Sequence, residues 1–292
     1  MNEDNDKIEE IIKKYEITDA QFEKMYNQCK NITFYNCKKV DKPTAIFVGG
    51  QTGAGKGGID VYSEKEFLQK KQNAAILDVD IYRALHPYTT EILAKYPTLY
   101  TNITAKTTGL ILKKIMDYAI INNYNFIFEG TLKNTEAFET MKQMPTNYKK
   151  IVRVMATSAI ESLLTAFERN YQQIQISGYG RFTNVDTHNK TYNGVLNTIK
   201  VIEESGENII IEIFKRGKDM TSPIKIFSTE ESKGKASDVL VKERQEDGIS
   251  DLEHRKERFN NLLLILNPKD EFEKIQLDKL KKEAKYLYLE DK

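Results

Sequence analysis

A glycine-rich stretch, PTAIFVGGQTGAGKGGID (43–60), carries residues suited to binding a chain of phosphates. Gly50, Gly55 and Lys56 match the Walker A spacing G-x-x-x-x-G-K, in which backbone N–H groups surround the phosphates and the lysine reaches the β- and γ-phosphates. The alternative is a glycine-rich turn with a surface lysine. We predict nucleotide binding at nine consecutive residues: Gly50, Gln51, Thr52, Gly53, Ala54, Gly55, Lys56, Gly57 and Gly58.

The residue after this lysine departs from the usual motif. Serine or threonine normally follows the lysine and binds Mg²⁺ through its hydroxyl, whereas Gly57 stands at that place. Mg²⁺ in proteins keeps several water ligands and needs only one or two carboxylates beside the substrate phosphates. We therefore expect the metal to rely on water, on phosphates and on the carboxylate of Asp80 or Glu129.

Charged residues follow the second predicted strand, in the sequence DVDIYRALHP (78–87). We expect Asp80 at the end of that strand, where its carboxylate could accept the proton of an attacking hydroxyl or bind Mg²⁺. Arg83 could contact a phosphate or a carboxylate through both arms of its guanidinium. The alternatives are that Asp80 only caps a helix, that Arg83 is solvated and that His86 is structural.

The sequence FEGTLKN (128–134) is suited to a binding loop. Glu129 is expected at a strand end, where it could orient water on the metal or bind substrate. Gly130 would allow close approach of the backbone to a ligand, and Thr131 offers a hydroxyl. A turn with a helix cap is the alternative.

Two arginines lie in the sequence ERNYQQIQISGYGRFTNVDTH (168–188). During phosphoryl transfer, negative charge spreads over the equatorial oxygens, and arginines on a mobile segment can stabilise it and exclude water. Arg169 and Arg181 could have this role, although two arginines on a helix and a loop can equally be surface residues.

The pattern of apolar residues predicts the elements that position these groups. Short apolar strands alternate with long helices, and the strands are predicted at 45–49, 74–80, 125–130, 149–157 and 208–214. This alternation is typical of an α/β fold with a parallel sheet and helices on both faces. Ligands of such sheets bind at the carboxyl ends of the strands, where the groups described above are expected.

The chain divides by pattern into three segments. We predict a helical lead-in at 1–42, a core at 43–215 and a mostly helical extension at 216–292. Residues 216–250 are polar and rich in turn formers. Two helices are expected after them, at 251–267 and 270–289.

Composition narrows the class of protein. The chain has 292 residues, of which 40% are hydrophobic, and its net charge is near +1. We expect no partner among nucleic acids or anionic membranes. The two cysteines, Cys29 and Cys37, have a spacing that suits neither a zinc site nor a disulfide framework, and the acidic N-terminus is unlike a secretory signal. We expect a soluble protein of the cytoplasm.

Together these stretches resemble the zeta toxin family, the kinase components of epsilon/zeta-type toxin–antitoxin systems. The resemblance covers about residues 15–215 and rests on KPTAIFVGGQTGAGKGG, DVDIYRALHP, FEGTLKN and ERNY…GYGRFT…H in this order. It implies a P-loop kinase-like fold. It also implies a kinase that uses ATP or GTP with Mg²⁺ to phosphorylate the 3′-hydroxyl of UDP-N-acetylglucosamine, which blocks cell-wall synthesis. It also implies an epsilon-type antitoxin as a partner, which obstructs the nucleotide site.

The resemblance further implies roles for single residues. Lys56 matches the Walker lysine, and Asp80 matches the base that activates the sugar hydroxyl. Arg169 and Arg181 match the arginines that stabilise the transferring phosphoryl group. The positions that match the substrate pocket are Asp80, Arg83, His86, Glu129, Thr131 and Lys133. Many members have arginine in place of Lys133, and a lysine retains the charge but loses the bidentate geometry.

Two other functions stay open on the sequence alone. The same fold could phosphorylate another small acceptor, such as a nucleoside, an antibiotic or NAD. The chain could also be a nucleotide-binding module without turnover, which the glycine at position 57 favours.

Overall fold

The structure is a computed structural model that describes residues 2–178, 180, 183–217, 222–268 and 271–288, with the backbone alone for residues 2–7. Its strands are β1 (Thr44–Gly49), β2 (Ala75–Leu77), β3 (Phe126–Glu129), β4 (Lys149–Met155), β5 (Ile209–Arg216) and β6 (Pro223–Ser228). They form one sheet in the order β2-β3-β1-β4-β5-β6. This confirms the predicted α/β class with a mostly parallel sheet.

The helices of the described residues flank this sheet. They are α1 (Asn2–Lys14), α2 (Asp19–Thr33), α3 (Lys56–Gln69), α4 (Val79–Ala84), α5 (Thr89–Lys95), α6 (Tyr100–Ile121), α7 (Glu136–Gln143), α8 (Ala159–Ser177), α9 (Val185–Glu204), α10 (Ala236–Ile249), α11 (Leu252–Ile265) and α12 (Glu271–Glu283). Two short 3-10 helices cover Pro97–Leu99 and Ala284–Tyr288. Within the described ranges, none of the helices combines the length and the apolar character that crossing a bilayer requires.

The register of three strand pairs defines the direction of the sheet. β2 pairs in parallel with β3, with Ile76 opposite Ile127. β4 pairs in parallel with β5, with Val152 opposite Ile211, and β5 pairs antiparallel with β6. The first six residues of β5 are buried, as expected for a strand covered on both faces.

By internal contacts the chain forms two compact units. The first unit comprises Met1–Ala45, Phe67–Glu129 and Pro145–Tyr148, and the second comprises Ile46–Glu66, Gly130–Met144 and Lys149–Lys292. This division follows contacts in space, whereas the three predicted segments follow the sequence. The boundaries of those segments stay a prediction.

The first unit is held by helix packing around buried aromatic and aliphatic side chains. Tyr15, Ile92 and Ile103 form a buried cluster. Thr18 caps α2: its hydroxyl accepts a hydrogen bond from the Gln21 N–H, and the Gln21 side chain accepts one from the Thr18 N–H. This capping box satisfies two N–H groups that the start of a helix leaves unpaired.

The second unit has a hydrophobic cluster that joins its middle to its C-terminal helices. Leu163, Leu164 and Phe167 of α8 are buried with Leu262 of α11 and Leu280 of α12. Burying a side chain of this size contributes about 1.5–3 kcal/mol. The two C-terminal helices are therefore integral to the core of this unit.

One expectation about local structure is wrong, and one stretch contains elements that the sequence did not indicate. The strand predicted at 74–80 ends at Leu77, and Asp80 lies in the first turn of α4 because Asp78 caps that helix and accepts a hydrogen bond from the Asp80 N–H. Residues 216–250, which are polar and rich in turn formers, contain β6 and α10. The buried residues of α10 are Ala236, Ser237, Leu240 and Arg244, a face too polar to be recognised as apolar.

Candidate active site

The glycine loop between β1 and α3 has a backbone that only glycine readily adopts. Gly50, Gly53 and Gly55 have φ angles of +148°, +79° and +98°. A Cβ atom on Gly53 would lie 2.0 Å from the carbonyl oxygen of Ser162 in α8. The loop therefore needs glycine at position 53 for its dihedral angles and for its close approach to α8.

The Walker lysine lies against the loop that it follows. The Lys56 ammonium donates a hydrogen bond to the Gln51 carbonyl oxygen at 3.3 Å. A Cβ on Gly50 would be 3.4 Å from Lys56 Cγ, so the stem of the lysine passes close to that glycine. The cation is held where a phosphate bound to the loop would meet it, at the N-terminus of α3.

An arginine at the end of β5 fixes the carbonyl side of the loop. Arg216 donates from Nε to the Ala54 carbonyl oxygen at 3.1 Å and from Nη2 to the Gly53 carbonyl oxygen. The Thr157 hydroxyl donates to the same Ala54 oxygen at 2.8 Å. Because C=O and N–H of a trans peptide point in opposite directions, the Gly55 N–H points away from Arg216, which leaves it suited to an anion.

A buried carboxylate balances the charge of this arginine. Glu161 of α8 is only 4% exposed and accepts hydrogen bonds from three guanidinium groups, those of Arg216 (2.8 Å), Arg255 (2.9 Å) and Arg258 (2.8 Å). Burial opposes its charged form, yet Arg258 and Arg216 keep the pKa of Glu161 below its usual value. Removing one partner of a buried ion pair costs about 3–5 kcal/mol, so this cluster is a strong constraint on the loop.

A second polar group lies under Gln51. The Gln51 amide donates to the Thr157 carbonyl oxygen at 2.9 Å and to the Ser162 hydroxyl at 3.0 Å. The Ser162 oxygen lies 2.9 Å from Nε2 of His188, whose Nδ1 lies 3.0 Å from Oδ1 of Asn189. Burial, with the charges of Arg244 and Lys56 adding to it, lowers the pKa of His188 to about 4. This imidazole is therefore neutral at pH 7.

The loop after β3 lies beside the glycine loop, residues 50–58, which we also call the phosphate loop. The Gly50 N–H donates to the Thr131 carbonyl oxygen at 3.4 Å, and the Gly130 N–H donates to the Val48 carbonyl oxygen at 2.9 Å. The Thr131 side chain is exposed. The structure thus brings this predicted substrate residue next to the predicted nucleotide residues.

Lys133 is exposed, and its backbone is held by α9. A Cβ on Gly194 would lie 2.1 Å from the Lys133 carbonyl oxygen, so a side chain there would displace this segment. Between Thr131 and Lys133, Leu132 has a φ of +51° and turns its buried side chain onto Gly49. These close contacts fix the course of the loop.

The first unit holds the acidic candidates. Asp80 forms an ion pair with Arg83 one turn later in α4, and its side chain is 35% exposed. Arg83 is buried and also donates from Nε to the Thr104 hydroxyl at 3.0 Å. The ion pair gives the Asp80 carboxylate a fixed orientation while leaving part of it accessible.

His86 is a buried, neutral imidazole that follows this helix. Burial lowers its pKa to about 4. Nδ1 accepts a hydrogen bond from the Tyr88 N–H at 3.3 Å, which assigns the proton to Nε2, and Nε2 has no hydrogen-bond partner within the described ranges. Glu129 is half-buried at the last position of β3, as predicted.

Two arginines and a metal site complete the predicted candidates. Arg169 is half-buried in α8, and Arg181 lies outside the described residues. Within the described parts of the chain, no cluster of three or more His, Cys, Asp or Glu could hold a metal ion. The prediction that Asp80 contributes to a metal site, with water and phosphates as the other ligands, stays a prediction.

Sequence reasoning did not select the residues that support the loop. Arg216 and Glu161 are isolated charged residues in a strand and a helix, and their contacts join positions 55 residues apart. The sequence signal for Glu161 is its position in α8, among apolar residues that face a core. His188 closes the ERNY…GYGRFT…H stretch, so it was within reach of the motif.

The family follows from comparison with known proteins. A family model described as zeta toxin matches residues 27–231, more than half of the chain. The chain belongs to the zeta toxin family. It is 27% identical to Toxin PezT of Streptococcus pneumoniae over 207 residues, which cover 70% of this chain and 78% of that protein. It is 30% identical to Toxin zeta of Streptococcus pyogenes over 162 residues, which cover 52% of this chain and 53% of that protein.

Solved structures resemble the fold of this zeta toxin family member. A chain from the PezAT chromosomal toxin–antitoxin system of Streptococcus pneumoniae has a TM-score of 0.71 at 23% identity, covering 85% of this chain and 98% of that one. The complex of AvrRxo1-ORF1 and AvrRxo1-ORF2 with ATP has a TM-score of 0.57 at 13% identity, covering 91% and 89%. At these identities the likeness concerns the fold alone.

The contacts of the glycine loop predict a contrast between two alanine substitutions. Gly53→Ala places a Cβ against the α8 backbone at a positive φ, and we expect it to lower the free energy of unfolding by about 2–4 kcal/mol. Gly57→Ala is the control, since a Cβ there meets nothing within 4 Å in the described part of the chain. Urea denaturation of both variants measures the difference, and equal stability of the two would contradict this description of the loop.

The two buried histidines predict a loss of stability in mild acid. Each has a folded pKa of about 4, below the value of 6.5 expected for the unfolded chain. Between these values the unfolded state binds more protons, so the free energy of unfolding falls as the pH drops from 6.5 to 4, by up to about 1.4 kcal/mol per pH unit for each histidine. Urea denaturation at pH 7 and pH 5 should show the drop, and it should be smaller in His188→Asn. An unchanged pH dependence in that variant would mean that His188 is not buried as a neutral group.

Proposed function

We propose that this zeta toxin family member is a phosphotransferase that binds ATP or GTP at residues 50–58 and phosphorylates the 3′-hydroxyl of UDP-N-acetylglucosamine or a related UDP-sugar. The observation that carries the proposal is the loop itself. Glycines at positive φ separate a buried strand from a helix, and the Lys56 ammonium lies on the loop. Membership of the zeta toxin family supports the reaction class, and the ATP bound in the AvrRxo1 complex supports the nucleotide.

In the proposed reaction, the loop and the N-terminus of α3 bind the triphosphate, and Lys56 neutralises charge on the β- and γ-phosphates. The sugar oxygen forms a bond to the γ-phosphorus while the bond from that phosphorus to the β–γ bridging oxygen breaks. The hydroxyl proton passes to the Asp80 carboxylate, and ADP or GDP leaves. Arg169 and Arg181 stabilise the charge that develops on the transferring group.

The acceptor side of the proposal uses side chains whose chemistry fits a sugar nucleotide. Arg83 orients Asp80 through their ion pair. His86 offers an Nε2–H donor, Glu129 a carboxylate and Lys133 a cation for a phosphate. The Thr131 hydroxyl is exposed beside the phosphate loop. Each of these assignments is a proposal that follows from position within the family motif.

The donor set of the chain is compatible with Mg²⁺ held mainly by the nucleotide. Asp80 keeps part of its carboxylate accessible, and Glu129 is half-buried. Either can supply the single protein oxygen that Mg²⁺ needs beside phosphates and water. When bound, the ion would neutralise charge on the phosphates. Position 57, where a hydroxyl ligand is usual, has open space around it.

The proposed setting is a toxin–antitoxin system in the cytoplasm, in which an epsilon-type antitoxin restrains the kinase. The PezAT structure is described as a toxin–antitoxin system, and the AvrRxo1 structures contain a second protein. Unrestrained, the enzyme would remove the UDP-sugar that cell-wall synthesis consumes.

The direct test is transfer of phosphate to the sugar nucleotide. The full chain is incubated with ATP, Mg²⁺ and UDP-N-acetylglucosamine, and products are read by phosphorus NMR and mass spectrometry. We expect a phosphorylated UDP-sugar and ADP, and a loss of about 10²–10⁴-fold in Asp80→Asn because the base is gone. Asp117→Asn, an exposed acid of α6 in the same unit, is the control.

Three results would decide against parts of this proposal. Binding of ATP without any transfer, across UDP-sugars, nucleosides, antibiotics and NAD, would favour the nucleotide-binding module. Transfer to one of the other acceptors would keep the kinase and change its substrate. Full activity in Asp80→Asn would remove that residue from the reaction.

The glycine at position 57 predicts a gain of function. Gly57→Ser restores the hydroxyl of the usual motif in open space, so we expect ATP to bind several-fold more tightly in the presence of Mg²⁺ and unchanged in its absence. Gly57→Ala is the matched control, since it adds the same Cβ without an oxygen. Calorimetric titration with and without Mg²⁺ gives two affinities for each variant. Equal Mg²⁺ dependence in the serine and alanine variants would show that the metal does not reach residue 57.

A further inference from the structure

A charged residue lies on the buried face of α10. Arg244 is only 4% exposed and packs inward together with Ala236 and Leu240. It lies beyond residues 27–231, the part of the chain that matches the zeta toxin family. Burying a guanidinium costs free energy unless hydrogen bonds and opposite charges compensate for the lost water. The contacts of Arg244 therefore decide how its charge is stabilised.

The groups that contact Arg244 are neutral. Nη1 donates to the Tyr192 carbonyl oxygen at 2.8 Å, and Nη2 donates to Oε1 of Gln51 at 3.3 Å. The guanidinium carbon lies 3.9 Å from the centre of the Tyr192 ring, a cation–π contact. Nε has no hydrogen-bond partner within the described ranges.

No acidic side chain of the described residues forms an ion pair with Arg244. Burial lowers the pKa of Arg244 to about 10, which still leaves it charged at pH 7. The contrast is with Arg216, whose charge Glu161 balances. A buried cation without a carboxylate beside it adds to the positive potential of its surroundings.

Gln51 connects this cation to the phosphate loop. Its side-chain oxygen accepts from Arg244, while its side-chain nitrogen donates to Thr157 and Ser162. Both ends of the amide are thereby fixed. The backbone carbonyl of the same residue accepts from the Lys56 ammonium. Arg244 is therefore hydrogen-bonded to Gln51, the residue whose carbonyl oxygen accepts from Lys56.

We propose that Arg244 is a positioning residue of the phosphate loop: it fixes Gln51, and with it the loop backbone, and supplies a buried positive charge that favours an anion on the loop. The proposal deepens the nucleotide-binding role and rests on it. It gives α10, a helix outside the family match, a part in nucleotide affinity that acts through Gln51.

The test compares full-length Arg244→Met, Arg244→Lys and, as a matched control, Lys242→Met. Lys242 is an exposed cation of the same helix. Arg244→Met removes the charge and the hydrogen bonds, whereas Arg244→Lys keeps the charge but loses the planar fork. The lysine variant also decides the question if the methionine variant does not fold.

Hydrogen exchange of the nucleotide-free protein, followed in peptides that cover residues 50–58, reports on the loop without any ligand. We expect faster exchange in both Arg244 variants, less so in the lysine variant, and no change in Lys242→Met. Unchanged exchange of this loop in folded Arg244 variants overturns the proposal, whatever happens to affinity.

Affinity for ATP with Mg²⁺ is measured on the same proteins, with Lys56→Ala beside them. Arg244→Met should weaken binding by roughly tenfold or more, as expected for losing one hydrogen bond to a charged group. Adding Arg244→Met to Gln51→Ala should change the exchange of the loop little further, because the arginine acts through Gln51. Fully additive effects would contradict that route. If the wild type does not bind ATP, nucleotide binding fails as a function, and the exchange of the loop still decides the role of Arg244.

Discussion

The candidate site depends on the hydrogen bonds that Arg216 donates to two carbonyl oxygens of the glycine loop. A glycine loop with positive φ angles has many accessible backbone states, and a bound anion needs one of them. Arg216 selects that state by fixing the Gly53 and Ala54 oxygens. The arginine can be buried there only because the Glu161 carboxylate balances its charge. The proposed phosphate site is therefore preorganised by this ion pair.

The Glu161 carboxylate also connects the glycine loop to the C-terminal helices. Glu161 also accepts hydrogen bonds from Arg255 and Arg258 of α11. A helix that lies beyond the family match in the sequence therefore helps to balance the charges beside the loop. A second connection involves α12: the side-chain N–H of Asn189, the neighbour of His188, donates a hydrogen bond to Oε1 of Glu283 at 2.9 Å. Since buried polar networks are stable only when every member is satisfied, loss of these helices would leave the loop's supports unpaired.

Local patterns predicted the strands, the helices after them and the glycine loop because each reports on a few consecutive residues. They placed Asp80 at a strand end, since a run of apolar residues cannot say that Asp78 will cap a helix one step earlier. They missed α10, whose buried face includes Arg244, and they missed Arg216 and Glu161, whose partnership exists only in three dimensions. The charge network that supports the loop is long-range, so no window along the sequence contains it.

A crystal structure of the full chain with a non-hydrolysable ATP analogue and Mg²⁺ tests most directly whether the glycine loop is preformed for a nucleotide. We expect phosphate oxygens to accept hydrogen bonds from the loop amides of residues 50–58, and the Lys56 ammonium to leave the Gln51 carbonyl oxygen for the β- and γ-phosphates. Arg216 should keep both of its carbonyl contacts in that complex. An analogue bound elsewhere, or a loop that rearranges and releases Arg216 to admit it, would contradict the claim that the cradle is preformed.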